Sequence, residues 1–202
     1  MPEVPLEQIK RAHSDVPVDE VFLRRWSPRA FAEQPVSDLN LRILFTAGAW
    51  AASSYNEQPW RFVLGRKGDE PWKHIFTHLT TPNQSWAKMA PVLYAGFAKK
   101  TFARDGKPNP AAVHDLGAAS ANIALQATRL GLHTHGMVGF DKPGLHAALG
   151  APEDYEPVAC WALGYLGDAE GLPETYREME RQPRQRKPLD QFVFASWSSA
   201  AL

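Results

Sequence analysis

Between Ala111 and Leu130 the chain reads as one long helix dense in small residues. Gly117, Ala118, Ala121 and Ala124 stand beside Leu125, and Gly131 is placed to stop the helix. Small side chains on several faces let neighbours approach closely. Such a helix belongs at the centre of a fold or at a contact between two copies of the chain.

The other elements are shorter and alternate in type. Pro17 to Arg25 reads as a short helix that Pro28 ends, and Ser37 is a good N-cap for a helix from Asp38 to about Ala51. Leu41, Leu44, Phe45 and Gly48 recur at helical spacing on that second helix and predict one buried face. Trp60 to Leu64, Pro91 to Ala98 and Pro157 to Tyr165 read as strands, the last burying Cys160. Trp72 to Leu79 reads as a further strand, and Gly131 to Phe140 as a glycine-punctuated loop. Asp141 is placed to cap a short helix that includes Leu145 to Leu149. The connection from Arg104 to Pro110 has the composition of a movable flap. This pattern predicts an α+β fold in one domain spanning residues 1–202, with residues 168–202 as a charged, proline-broken C-terminal arm. The arm's apolar run, Gln191 to Phe194, is too short to stand alone and needs an edge to pair with, in its own sheet or a partner's.

With 202 residues, 44% of them hydrophobic, the chain can bury a core without covalent staples, and its lone cysteine excludes an intrachain disulfide or a multi-cysteine metal site. Lys plus Arg and Asp plus Glu are 22 each, so no broad basic footprint for nucleic acid is expected, while self-association is not opposed by net charge. The acidic stretch from Met1 to Lys10 has no signal-like apolar run, and no window is long enough for a membrane span. A soluble protein of the cytoplasm is the expectation.

Against that balanced background three polar clusters stand out: Arg24-Arg25-Trp26-Ser27-Pro28-Arg29, Ser53-Ser54-Tyr55-Asn56-Glu57-Gln58, and Arg184-Gln185-Arg186-Lys187. Arg25, Ser27 and Arg29 surround a proline-broken helix end, and Arg184 and Arg186 alternate so that an extended chain projects both to one face. The plainest reading is surface salt bridges and a solvated arm; the alternatives are a shared phosphate site and a surface for an acidic partner. The serines and amides of the second cluster can make turn and capping bonds, or present donors and acceptors to the edge of a flat heterocycle. His114, His133 and His135 lack metal-ligand spacing and read as surface or core-edge residues, and no metal ligand is expected.

Taken in order, four segments resemble the nitroreductase family of flavin mononucleotide (FMN) enzymes. Arg25-Trp26-Ser27-Pro28-Arg29-Ala30-Phe31 is similar to that family's opening signature, and Ala52-Ser53-Ser54-Tyr55-Asn56-Glu57-Gln58-Pro59-Trp60 to its second. Gly131-Leu132 with Met137-Val138-Gly139-Phe140-Asp141 resembles the third, and Ala162-Leu163-Gly164-Tyr165 with Arg184 to Leu189 the last. The likeness runs from about Val18 to Phe194.

The resemblance implies a mainly antiparallel central sheet flanked by helices, in a homodimer that exchanges its C-terminal arms and holds FMN at the interface. It implies that Arg25, Trp26 (through its backbone) and Ser27 hold the phosphate, with Arg184 and Arg186 closing on it. Arg29 is implied to approach the N1/O2 edge of the flavin, and Asn83 to lie near its pyrimidine edge. Val138 and Gly139 are implied to bring a backbone N–H near N5. Ala52, Ser53, Ser54 and Asn56 are implied to come from the other subunit. Ala52 replaces the family's usual proline, and Trp86 falls where some members have lysine.

By the same likeness NADH or NADPH is the reductant and a nitroaromatic or quinone the acceptor, in a ping-pong cycle that needs no catalytic acid or nucleophile from the chain. Reductive dehalogenation or a specialised dehydrogenation by the same flavin is an enzymatic alternative. A binding protein with a basic docking arm is the non-enzymatic one.

Overall fold

A computed structural model describes residues 5–202; Met1 to Val4, part of the acidic N-terminal stretch, lie outside the described residues. Helices α1 (Leu6–Lys10) and α2 (Glu20–Arg24) precede α3 (Asp38–Ala49), β1 (Trp60–Arg66), α4 (Glu70–His78) and α5 (Thr81–Ala87). Then follow β2 (Val92–Lys99), α6 (Ala112–Arg129), β3 (Leu132–Met137), α7 (Lys142–Ala148), β4 (Tyr155–Tyr165) and α8 (Glu174–Arg181). The chain ends in the short strands β5 (Phe194–Ser196) and β6 (Ser199–Ala200).

Strands β1 to β4 form one antiparallel sheet in the order β1-β2-β4-β3, with Phe62 opposite Gly96, Ala95 opposite Cys160 and Thr134 opposite Leu163. Alternation along β2 divides the core. Leu93, Ala95 and Phe97 pack with Trp72, Ile75, Trp86 and Leu145 of α4, α5 and α7. Val92 and Tyr94 pack with Leu41 and Leu44 of α3 and Ile123 and Ala127 of α6. Both faces of the central strands are covered, which is why β2 reads as a continuous apolar run.

The α+β class and the flanking helices agree with expectation; several elements do not. Trp72 to Leu79 is not a strand. Asp69 accepts the Trp72 N–H at 2.9 Å, Pro71 sits in the first turn, and Trp72, Ile75 and Leu79 bury one helical face. The stretch from Gly131 to Phe140 is mostly strand β3 rather than loop. Its Gly136 lies under the Trp161 indole, where a Cβ would come within 3.0 Å of Nε1. Strand β1 continues through Gly65 and Arg66, past the expected end at Leu64.

The segment from Arg104 to Pro110 is tied down rather than free as a flap. Phe102 N–H donates to Lys107 O at 2.8 Å, Gly106 N–H to Phe102 O at 2.9 Å, and Asn109 N–H to Lys100 O at 2.7 Å. Helix α6 buries Leu116, Ala119, Ile123 and Ala127 while Gly117 and Ala121 stay exposed, so within one chain it is packed on one side only. Strand β5 pairs with β6 in a hairpin apart from the main sheet, leaving Phe192, Phe194 and Trp197 exposed.

Candidate functional site

The first cluster forms where α2 ends. Asp19 caps the helix by accepting the Val21 N–H at 2.8 Å, and the Arg25 N–H closes the last turn onto Val21 O at 2.9 Å. Pro28 prevents further helix. The Arg25 guanidinium therefore folds back and donates from Nη1 to Ser27 Oγ at 3.2 Å.

The C-terminal arm reaches the same place. Arg184 donates from Nη1 to Leu23 O at 2.7 Å and to Lys10 O at 3.2 Å, while its Nε is buried with no hydrogen-bond partner among the described residues. Burial and the neighbouring Arg25 and Arg186 cations push Arg184 down to about 10. Burial, then the Arg186 cation, also lowers Arg25. Among the described residues no carboxylate pairs with Arg25, Arg184 or Arg186. Three neighbouring guanidinium groups, with an unsatisfied buried N–H and a serine hydroxyl beside them, suit a compact anion of more than one charge.

Behind the cluster two histidines act as neutral packing. His135 donates from Nδ1 to Pro28 O at 2.9 Å and lies 4.5 Å from the Trp86 ring; His133 meets Trp26 edge-on at 5.7 Å. Burial first, then nearby arginines, pushes His133 down to about 4. His135 is likewise pushed down to about 4, chiefly by burial, with the Pro28 carbonyl opposing. His114 is exposed beside Asp115. Trp26 is buried with Lys10 Nζ 5.2 Å over its ring, so only its backbone is available toward the arginines. Trp86 is also fully buried, stacked on Phe31 and tilted against the His135 ring.

Arg29 points into a different environment. Its peptide N–H donates to Glu180 Oε2 at 3.2 Å, its Nη1 lies 3.5 Å from Glu180 Oε1, and its guanidinium sits 5.1 Å over Tyr176. Asn83, Val138 and Gly139 come together at the end of β3. Gly139 O accepts both the Thr80 N–H and Asn83 Nδ2 at 3.0 Å. A Cβ at Gly139 would stand 3.0 Å from Asn83 Nδ2 and Thr80 Oγ1, so only glycine sits there without displacing them. The Asn83 amide is thus engaged with backbone, and Val138 presents its side chain to solvent.

The loop containing Ala52, Ser53, Ser54 and Asn56 is held elsewhere. Ser53 Oγ accepts the Gln58 N–H at 3.1 Å, buried Asp115 accepts the Ser54 N–H at 2.9 Å, and Gln58 Nε2 donates to Asn56 O and Oδ1 at 3.2 Å. Tyr55, Asn56 and Gln58 all have positive φ (51°, 57° and 48°), a concentration of left-handed non-glycine backbone that neighbouring structure must enforce. Asp115 lies one turn into α6. The segment before Arg25 is instead tied through Asp19 to Arg129, the last residue of that helix, at 2.9 Å. At 1.5 Å per residue these anchors are about 21 Å apart along α6. One chain therefore brings Arg25, Ser27, Arg184 and Arg186 together, but not with Ser53, Ser54 and Asn56.

Sequence reasoning missed Lys10, Thr80, Asp115 and Glu180, which hold these segments in place. Their neighbours in sequence carry no signal for that role; each is buried or engaged by residues far away in the chain.

The profile of the family described as "Nitroreductase family" matches residues 23–79 and 66–165. The chain belongs to the nitroreductase family. It is 35% identical over 144 residues to an uncharacterized 15.4 kDa protein of Mycolicibacterium smegmatis, covering 66% of this chain and 94% of that one. It is 28% identical over 181 residues to a protein of Rhodopseudomonas palustris that carries the name NADH dehydrogenase/NAD(P)H nitroreductase, covering 78% and 89%. Among solved structures, one described as an oxidoreductase containing FMN superposes with a TM-score of 0.87 at 38% identity, over 93% of this chain and 96% of that one.

Proposed function

We propose that the chain is an FMN-dependent oxidoreductase that works as a homodimer, takes electrons from NADH or NADPH, and passes them to nitroaromatic or quinone-like acceptors by a ping-pong route. The observation that carries this reading is the group of Arg25, Arg184 and Arg186 around Ser27, paired with no carboxylate among the described residues, with the Arg184 Nε buried and unsatisfied there. A phosphate monoester meets those donors, and the 38% identical oxidoreductase of matching fold contains FMN. A relative named for NAD(P)H supports the choice of reductant.

When bound, FMN supplies hydride acceptance and donation, so the chain need not provide an acid, base or nucleophile. Arg25, Ser27, Arg184 and Arg186 would bind the phosphate, and the backbone of Trp26 lies between two of them. Arg29 would offset negative charge on the ring system. Val138 and Gly139 would present backbone groups, held still because Thr80 and Asn83 fix the Gly139 carbonyl. Ser53, Ser54 and Asn56 would complete the site from a second copy. The 21 Å estimate along α6 supports that division, as do the exposed Gly117 and Ala121 of α6 and the exposed Phe192 and Trp197 of the arm.

Purified protein supplied with FMN is expected to retain one per chain, with an oxidised-flavin band near ~450 nm that bleaches on anaerobic NADH or NADPH and returns with a nitroaromatic or quinone. A colourless protein that binds no added FMN would reject the proposal.

A further inference from the structure

Beyond the cluster of arginines, a nearly fully buried carboxylate touches Arg29, one of the proposed cofactor residues. Glu180 of α8 is 1% exposed. Its Oε2 accepts the Arg29 N–H at 3.2 Å, and its Oε1 lies 3.5 Å from Arg29 Nη1. Lys10 faces the same carboxylate across the gap between α1 and α8, anchored by Nζ bonds to Met179 O at 2.8 Å and Gln182 O at 2.6 Å. The Tyr176 ring, one turn earlier on α8, covers the Arg29 guanidinium at 5.1 Å. Arg29 is thus fixed through backbone, charge and face by a single helix of the C-terminal arm.

Isolated burial of a carboxylate is costly, and a surface alternative was open to a side chain in so charged a helix. Its placement against Arg29 also partly neutralises the cation that the proposed cofactor would meet. We infer that Glu180 is a positioning residue that orients Arg29 and sets how much positive charge Arg29 offers to a bound redox ring, with Lys10 as the counterweight. This rests on the FMN reading above. The residue touches Arg29, not the cofactor, and acts only through it.

A cation beside the ring favours the reduced, more negative form, so the two neighbours of Arg29 act in opposite senses. Glu180→Gln keeps an acceptor for the Arg29 N–H but removes the compensating charge. It is expected to shift the ratio of oxidised to reduced FMN dissociation constants about tenfold toward the reduced form, a rise of about 30 mV for a two-electron couple. Lys10→Gln leaves Glu180 to act on Arg29 alone and is expected to shift the ratio the other way. Both are read by dye-equilibrated potential titration of the FMN-loaded protein, with no turnover assay involved.

Opposite signs support the inference. Unchanged potentials, or shifts of the same sign that mere loosening of α8 would give, overturn it while the FMN reading stands. If Glu180→Gln does not fold, the downward shift for Lys10→Gln decides alone. Wild-type protein that takes up no FMN overturns both, and is recognised before any variant is made.

Discussion

Single residues show where the fold tolerates cost. The Tyr94 ring packs in an aromatic group, its centroid 5.0 Å from that of the stacked Trp161 ring and 5.4 Å from that of Phe45, and its buried hydroxyl has no hydrogen-bond partner among the described residues. Removing an unpaired buried hydroxyl relieves a desolvation penalty. Tyr94→Phe is therefore expected to leave stability unchanged or raise it by up to about 1 kcal/mol; a lower urea midpoint with an unchanged slope would show a partner for that hydroxyl. His133 and His135 set the acid side of the stability profile. Unfolded, such imidazoles take a proton near pH 6.5; folded, they resist until about pH 4. The unfolded state thus binds more protons between those values, so stability is complete above about pH 6.5 and declines toward pH 4. Denaturant titrations at pH 7.5 and 5.0 are expected to show this loss in the wild type and a smaller one in His133→Gln. An equal loss in both would remove His133 from the account.

Elements were legible where their signals were local. Ser37 caps α3 by accepting the Asn40 N–H at 3.1 Å, and Asp141 caps α7 by accepting the Gly144 N–H at 3.1 Å, each as its sequence suggests. Helix α4 was hidden because its apolar residues also satisfy a strand pattern; Asp69 followed by Pro71 was the available clue. Strand β3 was hidden because glycine normally marks a loop, whereas Gly136 is there to admit the Trp161 ring. The burial of Lys10 and Glu180 had no local signal at all, since it arises between the two ends of the chain. The polar loop after α3 was recognisable by composition, but its dependence on Asp115 was not. Asp115→Ala frees the Ser54 N–H and lets the left-handed residues relax. It is expected to weaken FMN binding about tenfold, or about 1.4 kcal/mol, with a far smaller change in thermal midpoint. Unaltered affinity by fluorescence titration would mean that this loop plays no part in binding.

For the molecule as a whole, the arginine group and the polar loop lie toward opposite ends of α6 in one chain, and the proposal joins them across two copies. Mixing two defective proteins tests that directly. One carries Arg25→Ala and Arg184→Ala; the other carries Ser54→Ala and Asn56→Ala. Each alone is expected to bind FMN weakly. After subunit exchange, each mixed dimer should contain one wholly wild-type site and one doubly defective site, so tight binding returns at one FMN per mixed dimer. Exchange verified by mass, with no recovery of tight binding, would contradict a site shared between subunits and place it within a single chain.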